Sequence, residues 1–219
     1  MEAFLISTGI VALAEMGDKT QLLSLVLAAR FRKPWPIAWG ILVATLANHA
    51  LAGGLGAWVT GLMGPTVLRW VLGVSFLVMS AWMLVPDKLD DYEAEGRSKF
   101  GVFGTTVIAF FLAEMGDKTQ IVTVMLAAEY QSWLWVVAGT TLGMMLANAP
   151  VVWFGERITR LVSLTWVHRI SAAVFVVLGL LVLFGREAPE THSKPHDAAV
   201  QMVAPSESAS SASTVSSAP

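Results

Sequence analysis

Six apolar runs, at roughly residues 3–29, 35–60, 66–86, 101–128, 133–155 and 166–184, dominate this 219-residue chain. Each approaches or exceeds the ~20 residues that a helix needs to cross a bilayer core. Hydrocarbon offers no partner to an exposed peptide group, so spanning segments of this length are expected to be helices. Composition agrees: 55% of residues are hydrophobic and 14% charged, against about a quarter charged in soluble domains. Trp35, Trp58, Trp70, Trp133, Trp135, Trp153 and Trp166 fall near predicted span ends, as interfacial rings do. The first run begins Met1-Glu2, lacks a basic leader and carries charges mid-span, so it is read as a retained helix.

Several functions are excluded at once. Basic residues stand singly or in threes at segment ends, with no stripe for nucleic acid. The chain has no cysteine, hence no disulfide, thiolate metal site or cysteine nucleophile. His49 is the one histidine well inside an apolar run, which leaves an intramembrane enzyme without a nucleophile–base pair.

The chain is also internally duplicated. Ala14-Glu15-Met16-Gly17-Asp18-Lys19-Thr20-Gln21 recurs as Ala113-Glu114-Met115-Gly116-Asp117-Lys118-Thr119-Gln120, an offset of 99 residues. Leu27-Ala28-Ala29 matches Leu126-Ala127-Ala128, and Leu46-Ala47-Asn48 matches Leu146-Ala147-Asn148 at an offset of 100. Residues 1–86 are read as one three-helix repeat and 101–185 as the second. Residues 87–100 form a charged cytoplasmic linker, and 186–219 a Ser/Ala/Pro-rich disordered tail holding His192 and His196. Three spans per repeat turn the second copy upside down. The expected fold is therefore all-α and integral to the membrane, six transmembrane helices in two inverted-topology repeats. Nine Lys or Arg residues fall on the odd-to-even links, against three on the other side. That asymmetry places those links in the cytoplasm and both termini outside it, with the cell membrane as the expected location.

On a continuous helix Asp18 lies about 60° from Glu15, and Gln21 about 60° further round the same face. The same holds for Glu114, Asp117 and Gln120. Gly17 and Gly116 are expected to loosen the helix and bring backbone carbonyls to the site. An ionised group in the bilayer costs at least ~2.5 kcal/mol, so four such carboxylates need a cation. Four carboxylates with Lys19 and Lys118 sum to −2, which one divalent ion or two protons balances; either lysine can instead reach toward an interface.

The candidate ligands are Glu15, Asp18, Glu114 and Asp117. Gln21, Gln120, Thr20, Thr119, Asn48, Asn148, Lys19 and Lys118 are candidate supporting residues. Such oxygen-rich sites suit Ca²⁺, Mn²⁺ or Mg²⁺, and protons compete with metal for the same oxygens. Taken singly, Thr20 and Thr119 are expected to bond the carbonyl four residues back, and Met16 and Met115 to pack. Asn48 and Asn148 are equally suited to helix–helix bonding. His49 faces Ala149 in the repeat alignment and is at best an asymmetric proton relay.

The doubled Glu-Met-Gly-Asp-Lys-Thr resembles the Glu-x-Gly-Asp-(Lys/Arg)-(Thr/Ser) signature of a cation–proton exchanger family. That family includes MneA-type manganese exporters and GDT-type calcium/manganese transporters. The resemblance covers residues 1–185. It implies that Glu15, Asp18, Glu114 and Asp117 carry metal and protons, that Thr20 and Thr119 matter more than their types suggest, and that Mn²⁺, with or without Ca²⁺, is the substrate. It implies a transporter with no cofactor, whose partners are the metal ion, protons and lipid. A proton-coupled amino-acid or organic-cation exporter of LysE type is the rival reading, and an acid-pair membrane enzyme a weaker one.

Overall fold

A computed structural model describes residues 1–85, 100–155 and 164–185. The charged linker short of Phe100, Glu156, Arg157 and Arg160, and the tail with its two histidines lie outside the described residues. Among the described residues the chain is all-helical, with eight helices: α1 (Glu2–Glu15), α2 (Lys19–Phe31), α3 (Pro34–Leu62), α4 (Pro65–Met83), α5 (Gly101–Glu114), α6 (Lys118–Tyr130), α7 (Trp133–Phe154) and α8 (Leu164–Phe184). Four of them, α3, α4, α7 and α8, are long and apolar enough to cross a membrane singly.

The first and fourth apolar runs are not the continuous helices that their length predicts. Each breaks in its middle, α1 from α2 and α5 from α6, at the repeated motif. The pieces match in length, 14 then 13 residues in each half. At about 1.5 Å per residue a broken pair still extends about 40 Å. Arg32 and Gln131 end α2 and α6 in the same left-handed conformation, each returning its N–H to a carbonyl four residues back.

The halves pack on each other more than on themselves. Helix α1 lies along α7, and α5 lies along α3, the same contact with the repeats exchanged. The reason is local. Gly139 lets the Phe4 carbonyl oxygen come within 2.5 Å of where a Cβ would stand, with Ser7 Cβ at 3.0 Å. Gly40 does the same for Thr106 Cβ at 2.6 Å and the Phe103 carbonyl oxygen at 3.1 Å. Gly40 and Gly139, Phe4 and Phe103, and Ser7 and Thr106 are all 99 residues apart. Small residues drive such approaches where lipid supplies no hydrophobic force between helices. Helices α4 and α8 pair with one another, Phe76 against Phe175 with ring centroids 6.2 Å apart. The terminal tryptophans predicted to be interfacial are all exposed on the helix surfaces.

Candidate metal and proton site

The motif does not form one helix face. Glu15 ends α1, Met16 is extended (φ −64°, ψ 113°), Gly17 has φ +87°, and the Asp18 N–H returns to the Glu15 carbonyl at 3.1 Å. Glu114, Met115 (φ −63°, ψ 120°), Gly116 (φ +73°) and Asp117 repeat this geometry, again with a 3.1 Å bond. These are type II turns, whose third residue needs φ > 0 and hence glycine. The helical-wheel placement of Glu15 and Asp18 is thereby corrected: a reverse turn, not a turn of helix, joins them. Met16 and Met115 occupy the turn's second position, and Met115 is exposed rather than packed.

Breaking the helix orphans the glycine N–H. The glutamines answer this. Gln21 Oε1 accepts from Gly17 N–H at 2.9 Å, and Gln120 Oε1 accepts from Gly116 N–H at 2.8 Å. Gln21 Nε2 also donates to the Ala147 carbonyl on α7, 3.1 Å away. These amide oxygens hold the turns.

Asp18 and Asp117 sit at the N-caps of α2 and α6 without capping them through their side chains. Both are buried, as are Glu15 and Glu114. Glu15, Asp18 and Asp117 each bring a carboxylate oxygen within 4.8 Å of the other two. Among the described residues this is the one group of three acids so arranged, and it draws on both repeats. Glu114 is not in it. Its Oε1 accepts from Thr45 Oγ1 at 2.8 Å, and Oε2 faces Asn48 Nδ2 at 3.5 Å.

The asparagines cross between repeats. Asn48 on α3 reaches Glu114 and the Phe111 carbonyl at 3.0 Å, while Asn148 on α7 reaches Glu15 Oε2 at 3.5 Å. Asn148 Oδ1 accepts from Ser24 Oγ at 3.0 Å, and its amide also donates to the Met144 carbonyl. In the other half Thr123, the counterpart of Ser24, bonds the Thr119 carbonyl instead. Asn48 Oδ1 is thus buried without a protein hydrogen-bond partner.

Thr20 donates to Glu15 Oε2 and Thr119 faces Asp117 Oδ2 at 3.5 Å, which corrects the expectation that both bond the carbonyl four residues back. Lys19 Nζ lies 3.1 Å from Asp117 Oδ1, across the repeats. Lys118 Nζ donates to the Val85 carbonyl beyond α4, 2.9 Å away. His49 is fully buried, neither ring nitrogen having a protein partner. Sequence reasoning missed Thr45 and Ser24. Thr45 stands one turn before Asn48, and Ser24 one turn after Thr20, so helical spacing from the motif residues would have found both.

The arrangement is a buried, three-carboxylate cradle at the meeting of two helix breaks. The C-terminal ends of α1 and α5 and the N-terminal ends of α2 and α6 meet at these breaks, so the helix dipoles oppose one another and the carboxylates set the sign of the site.

The family described as divalent cation/proton antiporter GDT1 matches twice, over residues 3–91 and again over 102–190. A Vibrio cholerae protein named "Putative manganese exporter" is 52% identical over 185 residues, 84% of this chain and 92% of that protein. A Synechocystis GDT1-like protein is 27% identical, covering 83% of this chain and 96% of its own length. The Saccharomyces cerevisiae divalent cation/proton antiporter GDT1 is 19% identical, covering 84% of each. No solved structure matches the chain. Matched in both halves by one family and along most of its length by such a relative, this multi-pass membrane protein belongs to the GDT1 family of divalent cation/proton antiporters, which are transporters and not enzymes.

Proposed function

We propose that the chain exports Mn²⁺, and Ca²⁺ as a second substrate, from the cytoplasm in exchange for entering protons, and that Glu15, Asp18 and Asp117 hold the ion. The observation that carries this reading is the convergence of three buried carboxylates from both repeats on one point. Two oxygens bound to one Ca²⁺ lie no more than about 4.6–5.2 Å apart, so a group within 4.8 Å suits a single ion of that kind. With its acids ionised, three carboxylates and the paired Lys19 sum to −2 (−3 + 1). The sequence-based count reached the same total by including Glu114 and Lys118. In this reading Glu114, held by Thr45 and Asn48, carries a proton beside the ion rather than ligating it. The name of the Vibrio relative favours manganese.

In this reading each broken pair, α1–α2 and α5–α6, makes one crossing. Six crossings then form two repeats of inverted topology, residues 1–86 and 101–185, in the cell membrane with both termini outside. Exchange of the repeats' conformations opens the site to alternate faces.

The test is reconstitution in liposomes carrying a metal-sensitive dye and a pH dye, with Mn²⁺, Ca²⁺ and Mg²⁺ supplied separately. Metal flux against proton flux, lost in Glu15→Gln and Asp117→Asn, is the expected result. Transport at the wild-type rate in these variants, or competition by lysine and arginine but by no metal, refutes the assignment.

A further inference from the structure

Helices α3 and α7 run antiparallel. Trp35 meets Trp153 at one end of their seam, and Gly53 meets Trp133 and Val137 at the other, where the Trp133 indole N–H donates to the Ala50 carbonyl at 3.1 Å. Residues four apart share a helix face, so Gly53, His49 and Thr45 line the α3 side and Trp133, Val137 and Thr141 the α7 side. The antiparallel register interleaves them along the seam in the order Gly53, Val137, His49, Thr141, Thr45. The last of these, through Oγ1, reaches Glu114 Oε1 at 2.8 Å. His49 is the one ionisable residue on either helix. It is fully buried with neither ring nitrogen bonded to protein, and the Thr141 hydroxyl is likewise buried and unpartnered. Each buried polar group left unpaired costs about 1–3 kcal/mol, so two along one seam call for a use.

The seam is its own counterpart when the repeats are exchanged, yet its two halves differ. His49 corresponds to Ala149 at the offset of 100, Thr141 to Leu42 at the offset of 99, and Thr45 to Met144 or Met145 under either. Polar residues therefore run from Glu114 toward the Trp133 end only, and apolar ones fill the equivalent places on the other side. We propose that His49, Thr141 and Thr45 form a one-sided proton route to Glu114, with His49 as its carrier. This rests on the exchanger reading above, in which Glu114 carries the proton and the Trp133 end faces outward, where protons enter.

The transfer balances without changing the resting charge of His49. A proton arriving at one ring nitrogen makes the imidazolium, and the proton on the other nitrogen leaves to the hydroxyl of Thr141 or Thr45. That hydroxyl passes its own proton on, Thr45 giving it to a Glu114 carboxylate oxygen. Both hydroxyls and the neutral imidazole are restored, the imidazole as its other tautomer, and rotation of the ring resets it. The ionisable groups on the elements packed against α3 are Glu114 on α5, Asp117, Lys118, Glu129 and Tyr130 on and capping α6, Lys19 and Arg30 on α2, and none on α7. Glu114 is the one that Thr45 joins to the seam. The three acids proposed to hold the metal are not on the route, so metal binding and proton delivery use different groups.

Two transport modes of the full chain in liposomes test the route. Mn²⁺ movement driven by a pH gradient needs protons at Glu114, whereas swapping labelled for unlabelled Mn²⁺ at equal pH needs only the metal-loaded protein. His49→Gln should slow the first by about a hundredfold, the low end of what a positioned proton carrier contributes, and leave the second at the wild-type rate. Thr141→Val, which removes a hydroxyl at nearly constant shape, should also slow only the first, and Thr141→Ser should keep it. The threonine pair carries the test should His49→Gln misfold. Proton-driven movement unchanged in His49→Gln and Thr141→Val, or both modes slowed alike, overturns the proposal. Metal–proton exchange in the wild type without that selective loss sinks the route alone, whereas a wild type with no exchange sinks the transport reading and the route with it.

Discussion

Gly116 permits a test of the helix break in which sterics and backbone conformation do not compete. It has φ +73°, and a Cβ added there would meet nothing within 4 Å. A side chain at 116 therefore meets no obstacle, and the whole cost of substitution is the left-handed backbone, about 1–2 kcal/mol for an ordinary L-residue. Asparagine tolerates that region and replaces glycine in type II turns, so Gly116→Asn should cost less than Gly116→Ala, and a β-branched Gly116→Val the most. The bond from the 116 N–H to Gln120 is open to all three. At about 2–4 °C per kcal/mol for a chain of this size, alanine should lower the unfolding midpoint in detergent by about 2–8 °C. Exchange activity should fall in the same order, because the turn sets where Asp117 stands. Alanine matching glycine in both assays, or asparagine proving worse than alanine, would refute the claim that a positive φ at 116 builds the site.

Gly56→Ala should cripple assembly, since its Cβ would stand 2.3 Å from the Val124 carbonyl oxygen on α6, whereas Gly54→Ala, facing open space, should be neutral; expression level and elution profile decide. Asn148→Ala leaves Glu15 Oε2 and Ser24 short of a partner and should cost about 1–3 kcal/mol of stability. Thermal unfolding should show Asn48→Ala to be milder, because Asn48 Oδ1 has no protein partner to lose. Apparent Mn²⁺ affinity should fall as pH falls on the metal-loading side, protons and metal competing for the same oxygens; an affinity flat from pH 8 to pH 6 would count against shared ligands.

Much of this was legible in the sequence. Run length and composition identify the membrane class and the eight-residue identity the duplication; the cost of burying charge points to Glu15, Asp18, Glu114 and Asp117 as candidates, of which the structure groups Glu15, Asp18 and Asp117. The break was half legible. The length of the run across the motif is why a continuous helix was expected, yet Glu-Met-Gly-Asp is also a type II turn sequence with glycine at its third position. Partnerships across the repeats were not legible. That Asn48 serves Glu114 and Asn148 serves Glu15 depends on α3 lying along α5 and α7 along α1, contacts far apart in the chain. Nor was the pairing of Lys19 with Asp117, which spans the two repeats.

The reciprocal embrace of α1 with α7 and α3 with α5 bears on how such a chain is made and where it came from. Helix α1 is synthesised first but gains its main neighbour only once α7 has emerged, more than 130 residues later. Insertion therefore precedes assembly, and a ribosome stalled after the first repeat leaves helices with few partners among themselves. Two halves supplied as separate polypeptides should find one another in the bilayer. On the inverted topology proposed above, a single ancestral repeat would have met the same need by pairing with an oppositely inserted copy of itself, and fusion of two such genes would have made that encounter intramolecular.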